Sequence, residues 1–570
     1  MKRNKLLGFL SLVAAVGAWF AYRFRRALFA RRLGLPPVQN EVHVHRNLRV
    51  PVGKELTLAT DHYEPQGAGS FPTILIRTPY GRRLVPAFYA QRFAERGYHV
   101  VVQDVRGRFD SDGQFAPFLD EAADGQATVS WLRQQPWYNG VLGLWGQSYL
   151  GYVQWALAVA EPDGVTSLFP SIASSRGPLT ATDDALPLDL ALRWMVLLEA
   201  LDHAPGGRGR LNPLLAFSRM TARGQDRVLR PAYDHLPLEE CDELLLGEEV
   251  EYFRRRFEAQ LPPAYEESNL SNRLDRVSSP VHLLGGWYDF MLHDLLADYD
   301  TLRCAGRCPY LTIGPWQHTD NSVARNGLRE GLDWFAATLK GQEDRLRAAP
   351  VRLHVMGADE WRNYECWPPP ATDRSWYLQS QGALGPRPSS ASAPDQYSYD
   401  PANPTPAVGG ALFYSGAGPV DNRELEARPD VLTYTGPLLD ESLDVVGPVR
   451  AVLYVRSSLA HTDFFARLCD VTPDGRSLNI CDGLYRVRPG RGARQPDGSL
   501  RIEVDMWATA YRFRPGHAVR LQLSSGAHPR FARNLGAGEP PGRATEMRVA
   551  EQTIYHDEVH PSVLVLPVSG

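Results

Sequence analysis

Apolar, strand-like segments alternate with helix-like segments between residues 41 and 345. Residues 72–77 and 99–103 are short apolar runs with the length and composition of buried strands. Residues 126–134 place apolar side chains three and four positions apart, as on one face of a helix, and the apolar run 141–145 follows closely. Buried strands that alternate with helices are typical of a parallel sheet covered on both faces. We therefore expect an α/β domain over residues 41–345.

A different pattern interrupts this domain between about residues 176 and 276. The segment is rich in Leu, Glu and Arg, and its stretches 188–201 and 252–261 show helical periodicity. Such a segment does not fit the alternation of strands and helices on either side of it. We therefore expect a group of helices inserted into the α/β domain.

From about residue 351 the helical periodicity disappears. Short segments of alternating apolar and polar residues, such as 451–456, follow one another between turns. Asp474-Gly475 and Asp497-Gly498 suit tight hairpin turns, because glycine adopts a positive φ without steric cost. We therefore expect a β-sandwich over residues 346–570.

The chain begins with a basic and then an apolar segment. Lys2, Arg3 and Lys5 precede the apolar run from Leu6 to Tyr22, and further arginines follow it. A run of this length is short for a membrane-spanning helix and long for the core of a cleaved signal. We predict an uncleaved N-terminal membrane anchor and linker over residues 1–40, with the side of the membrane left open. The alternative is export after signal cleavage, for which Val16-Gly17-Ala18 offers the small residues that a peptidase needs.

Charge and cysteine content exclude several kinds of partner. The 61 basic and 65 acidic side chains leave a net charge of −4, which gives no field for holding nucleic acid. The 6 cysteines are sparse, and Cys304 and Cys308 lack the second pair, or a pair of histidines, that a zinc site requires, so we expect no metal. Cys469 and Cys481 could pair in an oxidising compartment or could be two small buried residues.

The sharpest local signal is the sequence around Ser148. A buried strand pattern over residues 142–147 runs into this serine, and the helix-like segment 152–160 follows. A sharp strand-to-helix turn would expose the serine hydroxyl and place the next backbone N–H, that of Tyr149, beside a developing oxyanion. The usual G-x-S-x-G pattern has glycine where this chain has Leu150. Ser148 is therefore a candidate nucleophile, with the capping of a buried helix as the alternative interpretation.

A serine nucleophile needs a base and an acid that orients the base, and candidates for both follow predicted strands. Asp289 ends the apolar run 281–288, and His318 comes after the run 311–317. The chain order Ser, Asp, His is that of an α/β-hydrolase. Asp289 could instead cap the helix that follows it, and His318 is one of 15 histidines. Two rival candidates fall in that predicted helix, from which the serine is harder to reach: His293 and Asp294.

Several motifs closely resemble those of the CocE/NonD hydrolase family, over nearly all of residues 45–570. They are Gly-Gln-Ser-Tyr-Leu-Gly at 146–151, Gly-Gly-Trp-Tyr-Asp at 285–289, Ile-Gly-Pro-Trp-Gln-His at 313–318 and Arg-Thr-Pro-Tyr-Gly at 77–81. The family contains ester hydrolases of the cocaine-esterase type, X-Pro dipeptidyl-peptidases and acylases that act on β-lactam side chains. The resemblance implies an α/β-hydrolase domain with a helical cap insertion at about 176–276, followed by a C-terminal jelly-roll β-sandwich.

The same resemblance implies a role for each motif residue. Ser148 would be the nucleophile, His318 the general base and acid, and Asp289 the carboxylate that orients the histidine. Tyr80 would donate its hydroxyl to the oxyanion, beside the N–H of Tyr149. The implied enzyme is a serine hydrolase that cleaves ester bonds, or amide bonds, of small acyl substrates through an acyl-enzyme, without a cofactor.

The chain departs from one branch of the family directly after Asp289. The α-amino acid ester hydrolases place acidic residues there to hold an ammonium group, whereas this chain has Phe290, Met291 and Leu292. An apolar environment penalises an unpaired ammonium, so we expect a neutral acyl group and assign Phe290 and Met291 to the substrate pocket. Two alternatives remain, an X-Pro dipeptidyl-peptidase and a membrane-tethered binding protein that keeps the scaffold without the chemistry.

Overall fold

The computed structural model of the chain describes residues 30–177, 185–202, 219, 221–258, 261–390, 392–413, 416–538, 540 and 542–569. Within them the backbone forms two large sheets, one in each half of the chain. Helices surround the first sheet, and a further group of helices is inserted between two of its strands.

The first sheet consists mainly of parallel strands whose side chains are buried on both faces. Its strands are β1 (Glu41–Pro51), β2 (Thr57–Gln66), β3 (Thr73–Thr78), β4 (His99–Asp104), β5 (Leu142–Gln147), β6 (Ser167–Ser171), β7 (His282–Tyr288), β8 (Tyr310–Gln317), β9 (Val351–Val355) and β10 (Glu360–Tyr364). Their order is β1-β2-β4-β3-β5-β6-β7-β8-β9-β10. Strands β3 to β9 pair in parallel, and every residue of β3 and β4 is buried, as expected for strands with helices on both sides.

Some of the α-helices alternate with these strands, and others form the insertion. They are α1 (Val85–Ala94), α2 (Glu121–Leu132), α3 (Tyr149–Ala160), α4 (Leu188–Asp202), α5 (Ala222–Asp234), α6 (Cys241–Leu246), α7 (Glu251–Arg254), α8 (Pro263–Glu267), α9 (Leu292–Cys304), α10 (Asn321–Lys340) and α11 (Arg423–Glu426). Asp320 is the N-cap of helix α10, and its side chain accepts a hydrogen bond from the Ser322 N–H. Gly341, with φ of +70°, caps the other end. Both ends of this helix are therefore set by local sequence.

Helices α4 to α8 form the cap between β6 and β7. The cap has its own small core, in which Leu192, Met195, Leu229 and Phe253 are fully buried. This packing explains why the inserted segment shows helical periodicity rather than strand patterns. The predicted helical insertion is confirmed.

The second sheet occupies the C-terminal half of the chain. Its strands are β11 (Thr372–Gln379), β12 (Ala383–Gly385), β13 (Asp395–Tyr399), β14 (Leu432–Thr435), β15 (Leu443–Ser457), β16 (Thr462–Val471), β17 (Ser477–Val487), β18 (Ala493–Arg494), β19 (Leu500–Phe513), β20 (Ala518–Ser524), β21 (Ala550–Tyr555) and β22 (Val563–Val568). All but one of these pairings are antiparallel, and neighbours in the sheet are distant in sequence, as in β14-β20-β16. The predicted class, an α/β-hydrolase domain followed by a β-rich jelly-roll domain, is confirmed.

One detail of the domain organisation differs from the prediction. Strands β9 and β10 follow residue 345 but belong to the first sheet, so the predicted change to a sandwich at 346 does not coincide with a change of sheet. A short alternating segment has the same pattern in either sheet, which is why the sequence does not separate the two cases. The domain boundaries themselves stay predictions.

The predicted membrane attachment is corrected by the structure. Leu6 to Tyr22 lies outside the described residues, and among those that are described no helix has the length and apolarity to cross a bilayer. Membrane anchoring, and export after signal cleavage with it, are therefore not part of the function proposed below.

The end of the predicted linker packs on the α/β domain. The Arg96 guanidinium donates to the Pro36 carbonyl at 2.7 Å, and the Asn40 N–H donates to the Glu95 carbonyl at 3.0 Å. Leu35 is buried in the same core as the sheet. Residues 35–40 are thus part of the folded domain.

Cys469 and Cys481 are both free thiols in the structure. The register of β16 and β17 places Cys469 opposite Asn479 and Cys481 opposite Leu468, so the two cysteines do not face each other directly. Burial raises the pKa of the Cys469 thiol to about 12. The structure therefore presents them as small residues of the sheet rather than as a disulfide.

Candidate active site

Ser148 lies on a sharp turn between β5 and α3, with φ of +55° and ψ of −122°. Two glycines allow the helix to pack this closely on its surroundings. A Cβ at Gly146, in β5, would lie 2.4 Å from the Leu150 Cβ, and one at Gly151, in α3, would lie 2.3 Å from the Cβ of Ala173, which follows β6. The close contacts therefore fall at positions 146 and 151, and not at position 150, where the sequence pattern lacks its glycine.

Three side chains from three strand ends meet at this turn. His318 follows β8, and its Nε2 lies 3.0 Å from the Ser148 hydroxyl oxygen. Asp289 follows β7, and one of its carboxylate oxygens lies 2.8 Å from His318 Nδ1. The carboxyl ends of parallel strands share one edge of a sheet, which is how residues so far apart in sequence come together. The structure thus brings the predicted serine, histidine and aspartate into one hydrogen-bonded chain.

Asp289 is held in place by its own backbone surroundings. The side chain is fully buried, and its second carboxylate oxygen accepts a hydrogen bond from the Met291 N–H at 2.6 Å. Both oxygens are therefore engaged, one by the backbone of the next turn and one by His318. Such partners offset the cost of burying a polar group away from water.

The two rival candidates lie elsewhere, at the start of α9. His293 is exposed and has its Nδ1 3.7 Å from an Asp505 carboxylate oxygen. Asp294 lies 3.5 Å from the Arg176 guanidinium. Neither contact involves Ser148, so the structure does not bring these residues into the serine site.

Tyr80 stands beside the serine on the turn after β3. Its backbone N–H donates to the Thr78 hydroxyl at 3.0 Å, and its own hydroxyl oxygen accepts a hydrogen bond from the Trp194 indole N–H at 3.1 Å. Trp194 belongs to cap helix α4, and no motif in the sequence predicts that it contacts Tyr80. Tyr80, Ser148 and His318 all line one cavity.

Tyr149 contributes its backbone rather than its phenol to the site. It is the first residue of α3, and the first N–H groups of a helix have no partner within that helix. Its phenol is turned away, donating to the Glu121 carboxylate at 2.7 Å and accepting from the Phe118 N–H at 3.0 Å. Burial raises the pKa of the Tyr149 phenol well above its usual value, and the neighbouring Glu121 raises it further. The phenol thus anchors the start of the helix.

The cavity in front of the serine has a volume of about 720 Å³ and is largely apolar. The predicted pocket residues Phe290 and Met291 line it, and the Phe290 ring stacks on the His318 ring with centroids 4.1 Å apart. Phe413, from the C-terminal half, lies 5.6 Å from both rings. Further lining residues are Leu84, Val85, Pro86, Tyr89, Phe118, Trp145, Gln147, Leu150, Tyr152, Ile172, Ser174, Arg176, Leu190, Trp194, Leu197, Leu201, Arg256 and Thr319.

The charged side chains in the described wall of this cavity are arginines. Two arginines, Arg176 and Arg256, line it, and no aspartate or glutamate does so among the described residues. Arg256 is buried, which lowers its pKa to about 10 and leaves it charged at neutral pH. An ammonium-bearing substrate would therefore find no carboxylate in the described part of the cavity wall.

Comparisons with known proteins agree with this fold. A family model described as X-Pro dipeptidyl-peptidase (S15 family) matches residues 54–320, and one described as X-Pro dipeptidyl-peptidase C-terminal non-catalytic domain matches residues 346–565. Cocaine esterase from Rhodococcus sp. (strain MB1 Bresler) is 34% identical over 576 residues, covering 93% of this chain and 99% of that protein.

Two solved structures extend the comparison to three dimensions. An α-amino acid ester hydrolase has a TM-score of 0.75 at 21% identity, covering 94% of this chain and 98% of its own. A CocE/NonD family hydrolase from Staphylococcus aureus has a TM-score of 0.63 at 15% identity, covering 93% and 94%. At these identities they support the fold alone, whereas the match to cocaine esterase extends over almost the whole of both sequences and shows the family. The chain therefore belongs to the CocE/NonD family of serine hydrolases.

Proposed function

We propose that the chain hydrolyses ester bonds through an acyl-enzyme formed on Ser148. His318 Nε2 takes the Ser148 proton across 3.0 Å as the serine oxygen attacks the substrate carbonyl. Asp289, 2.8 Å from Nδ1, holds the tautomer in which Nε2 can accept that proton, and it stabilises the imidazolium that forms. These two contacts are the observation that carries the proposal.

The negative charge that develops on the carbonyl oxygen is stabilised by two donors, the Tyr80 hydroxyl and the Tyr149 N–H. His318 then gives its proton to the leaving alkoxide as the carbon–oxygen ester bond breaks. Water attacks the acyl-enzyme with His318 again as base, and collapse of the second intermediate returns the proton to Ser148 and releases the acid.

The acyl group of the substrate is proposed to be neutral and apolar. The cavity wall is aromatic and aliphatic, and rings such as Phe290, Phe413 and Trp194 suit a planar or branched apolar group. Placing an unpaired ammonium there costs several kcal/mol, because the described wall offers arginines instead of carboxylates. Cocaine, which is an ester of an aromatic acid, is the substrate in the name of one relative, cocaine esterase.

A matched pair of esters tests this preference. Methyl phenylacetate and methyl phenylglycinate share the same skeleton, and the second adds an ammonium group beside the carbonyl. We expect kcat/KM to be at least about tenfold higher for the neutral ester, since tenfold corresponds to only about 1.4 kcal/mol of the expected penalty. Preference for the phenylglycinate would contradict the proposed substrate class.

The competing activity is that of an X-Pro dipeptidyl-peptidase, the description of the matched family. It requires a site for an N-terminal ammonium, for which the described cavity wall provides no carboxylate. Gly-Pro p-nitroanilide assayed in the same experiment separates the two. Turnover of the anilide at a rate comparable to the neutral ester would favour the peptidase.

A further inference from the structure

One buried arginine ties the Tyr80 turn to the cap. Arg108 is 2% exposed and sends a hydrogen bond to each of three groups. Its Nε donates to the Pro79 carbonyl at 2.9 Å, directly before Tyr80. Its Nη2 donates to the Leu198 carbonyl at 3.1 Å, and its Nη1 contacts the Asp202 carboxylate at 2.5 Å. Arg108 therefore joins the turn to the last part of helix α4.

The same helix also contacts the Tyr80 side chain. Trp194, one turn before Leu198, donates its indole N–H to the Tyr80 hydroxyl oxygen at 3.1 Å. An indole nitrogen can only donate, so the Tyr80 oxygen is the acceptor here and the Tyr80 proton must go to a different acceptor. Helix α4 thus orients the phenol through Trp194 and is fixed to the phenol's own turn through Arg108.

The guanidinium is suited to this task by its shape. It lies between the rings of Phe115 and Phe109, with centroid distances of 5.2 and 5.6 Å. Its planar fork reaches three acceptors at once, which the single ammonium of a lysine cannot do from one position. Three fixed bonds and two rings leave the group little freedom.

A separate arginine attaches the turn to the sheet. Arg82 contacts the carboxylates of Asp104 and Asp61 and that of Asp110, the last at 2.7 Å. This attachment lies within the α/β domain and does not involve the cap. Loss of Arg108 would consequently remove its bonds between the cap helix and the turn, while the turn keeps its attachment to the sheet.

We propose that Arg108 is a positioning residue for oxyanion stabilisation, which keeps α4 and the Tyr80 turn in register so that the Tyr80 hydroxyl points at the developing charge. The inference rests on the proposed role of Tyr80 as an oxyanion donor. Catalytic rates respond steeply to donor placement, and a shift of 1 Å can cost about a hundredfold in rate. Arg108 itself touches neither the substrate nor the reacting atoms.

A double-mutant cycle tests the proposal. Arg108→Lys, Tyr80→Phe and the double variant are assayed for kcat and KM with p-nitrophenyl benzoate. We expect Arg108→Lys to lower kcat by about 10- to 100-fold and to change KM by less than about threefold, because a misplaced donor weakens the transition state more than the ground state. In the Tyr80→Phe background the same substitution should change kcat by less than about twofold.

A second arginine of the same helix provides the control. Arg193 is buried and pairs within the cap, with Asp189 at 2.7 Å and Asp226 at 2.6 Å. Arg193→Lys should leave kcat within about twofold of the parent enzyme. If Arg108→Lys does not fold, Asp202→Ala replaces it in the cycle, since that change removes one of the three contacts and keeps Arg108.

The outcomes separate the inference from the proposed function. An equal loss from Arg108→Lys with and without the Tyr80 hydroxyl, or an equal loss from Arg193→Lys, would overturn the role of Arg108 and leave Tyr80 in place. Full activity of Tyr80→Phe would instead remove Tyr80 from the oxyanion site, and the inference about Arg108 would fall with it. A loss confined to the parent background supports the positioning role.

Discussion

Ser148 adopts a backbone conformation that residues with a Cβ seldom tolerate. Its φ of +55° and ψ of −122° cost on the order of 1–3 kcal/mol, so the surroundings must enforce them. The Ser148 N–H donates to the Ser171 carbonyl at 2.9 Å, and Gly146 and Gly151 let α3 pack closely against β5 and against the segment after β6. At the scale of residues, exposure of the hydroxyl depends on glycine at these two positions.

Gly151→Ala should therefore destabilise the protein and reduce esterase activity. The added Cβ would lie 2.3 Å from the Ala173 Cβ, and overpacking of this kind costs about 1–3 kcal/mol. Gly327→Ala, within helix α10, is the matched control. Its Cβ would meet ordinary contacts at 3.7 and 3.8 Å, and alanine favours a helix over glycine by up to about 1 kcal/mol. Denaturant unfolding of both variants measures the difference, and equal stabilities would argue against a crowded turn.

At the scale of elements, the β1–β2–β4 edge of the first sheet holds a group of histidines. His62 Nε2 lies 3.0 Å from His99 Nδ1, so one of the two nitrogens must be unprotonated to accept the bond. The His62 ring stacks on Trp137 with centroids 4.0 Å apart and lies 5.4 Å from the His45 ring. Burial lowers the pKa of His62 to about 3, and the neighbouring histidines 99, 45 and 43 add to this.

This edge should make folding stability dependent on pH. Unfolded His62 takes up a proton near its ordinary pKa of 6.5, whereas folded His62 does so only near 3. Between these pKa values the unfolded state binds more protons, so the free energy of unfolding rises with pH. The contribution of His62 to this free energy is lost as the pH falls below 6.5. At pH 5 the loss from His62 amounts to about 2 kcal/mol relative to neutral pH.

Denaturant unfolding between pH 5 and pH 7 measures this slope. His62→Phe should give a shallower slope than the parent, because the phenyl ring can stack on Trp137 but binds no proton. His293→Gln, at an exposed histidine, is the control and should keep the parent slope. A parental slope in His62→Phe would show that the stacked histidine does not couple folding to pH.

Elements governed by local sequence could be predicted, and contacts between distant elements could not. The strand before Ser148, the helix after it and the strand ends at Asp289 and His318 follow from apolar runs and turn residues. Trp194 and Phe413 gave no such signal, because their place at the cavity depends on how the cap and the C-terminal half dock. Strands β9 and β10 follow residue 346, where the sequence predicts the sandwich, but they pair with the first sheet. The reason is similar, since tertiary packing sets which strands pair.

At the scale of the whole molecule, the two halves of the chain share the site. The Thr319 hydroxyl, next to His318, donates to the Phe413 carbonyl at 3.2 Å. The Met356 N–H, directly after β9 of the first sheet, donates to the Ala510 carbonyl of β19 in the second sheet at 2.8 Å. The C-terminal half thus supplies part of the cavity wall and is fixed to the strands that carry the catalytic loops.

Phe413→Ala should show this contribution through substrate preference. The Phe413 ring lies 5.6 Å from Phe290 and from His318, where an aromatic acyl group would pack. We expect kcat/KM for p-nitrophenyl benzoate to fall by about tenfold, because removing an aromatic contact costs about 0.5–1.5 kcal/mol beyond its lost area. The acetyl ester, too short to depend on this ring, serves as the internal control. Equal losses for both esters would indicate a general disturbance of the site.

The most direct test of the central claim is covalent labelling with a fluorophosphonate, which reacts only with a serine activated by a base. The account predicts one phosphonyl group per chain, located by peptide mass spectrometry at Ser148. It also predicts that labelling is abolished in Ser148→Ala and slowed by at least about a thousandfold in His318→Ala, in line with the loss of a triad base. Labelling at a different residue, or ester hydrolysis that persists in purified Ser148→Ala, would contradict the account.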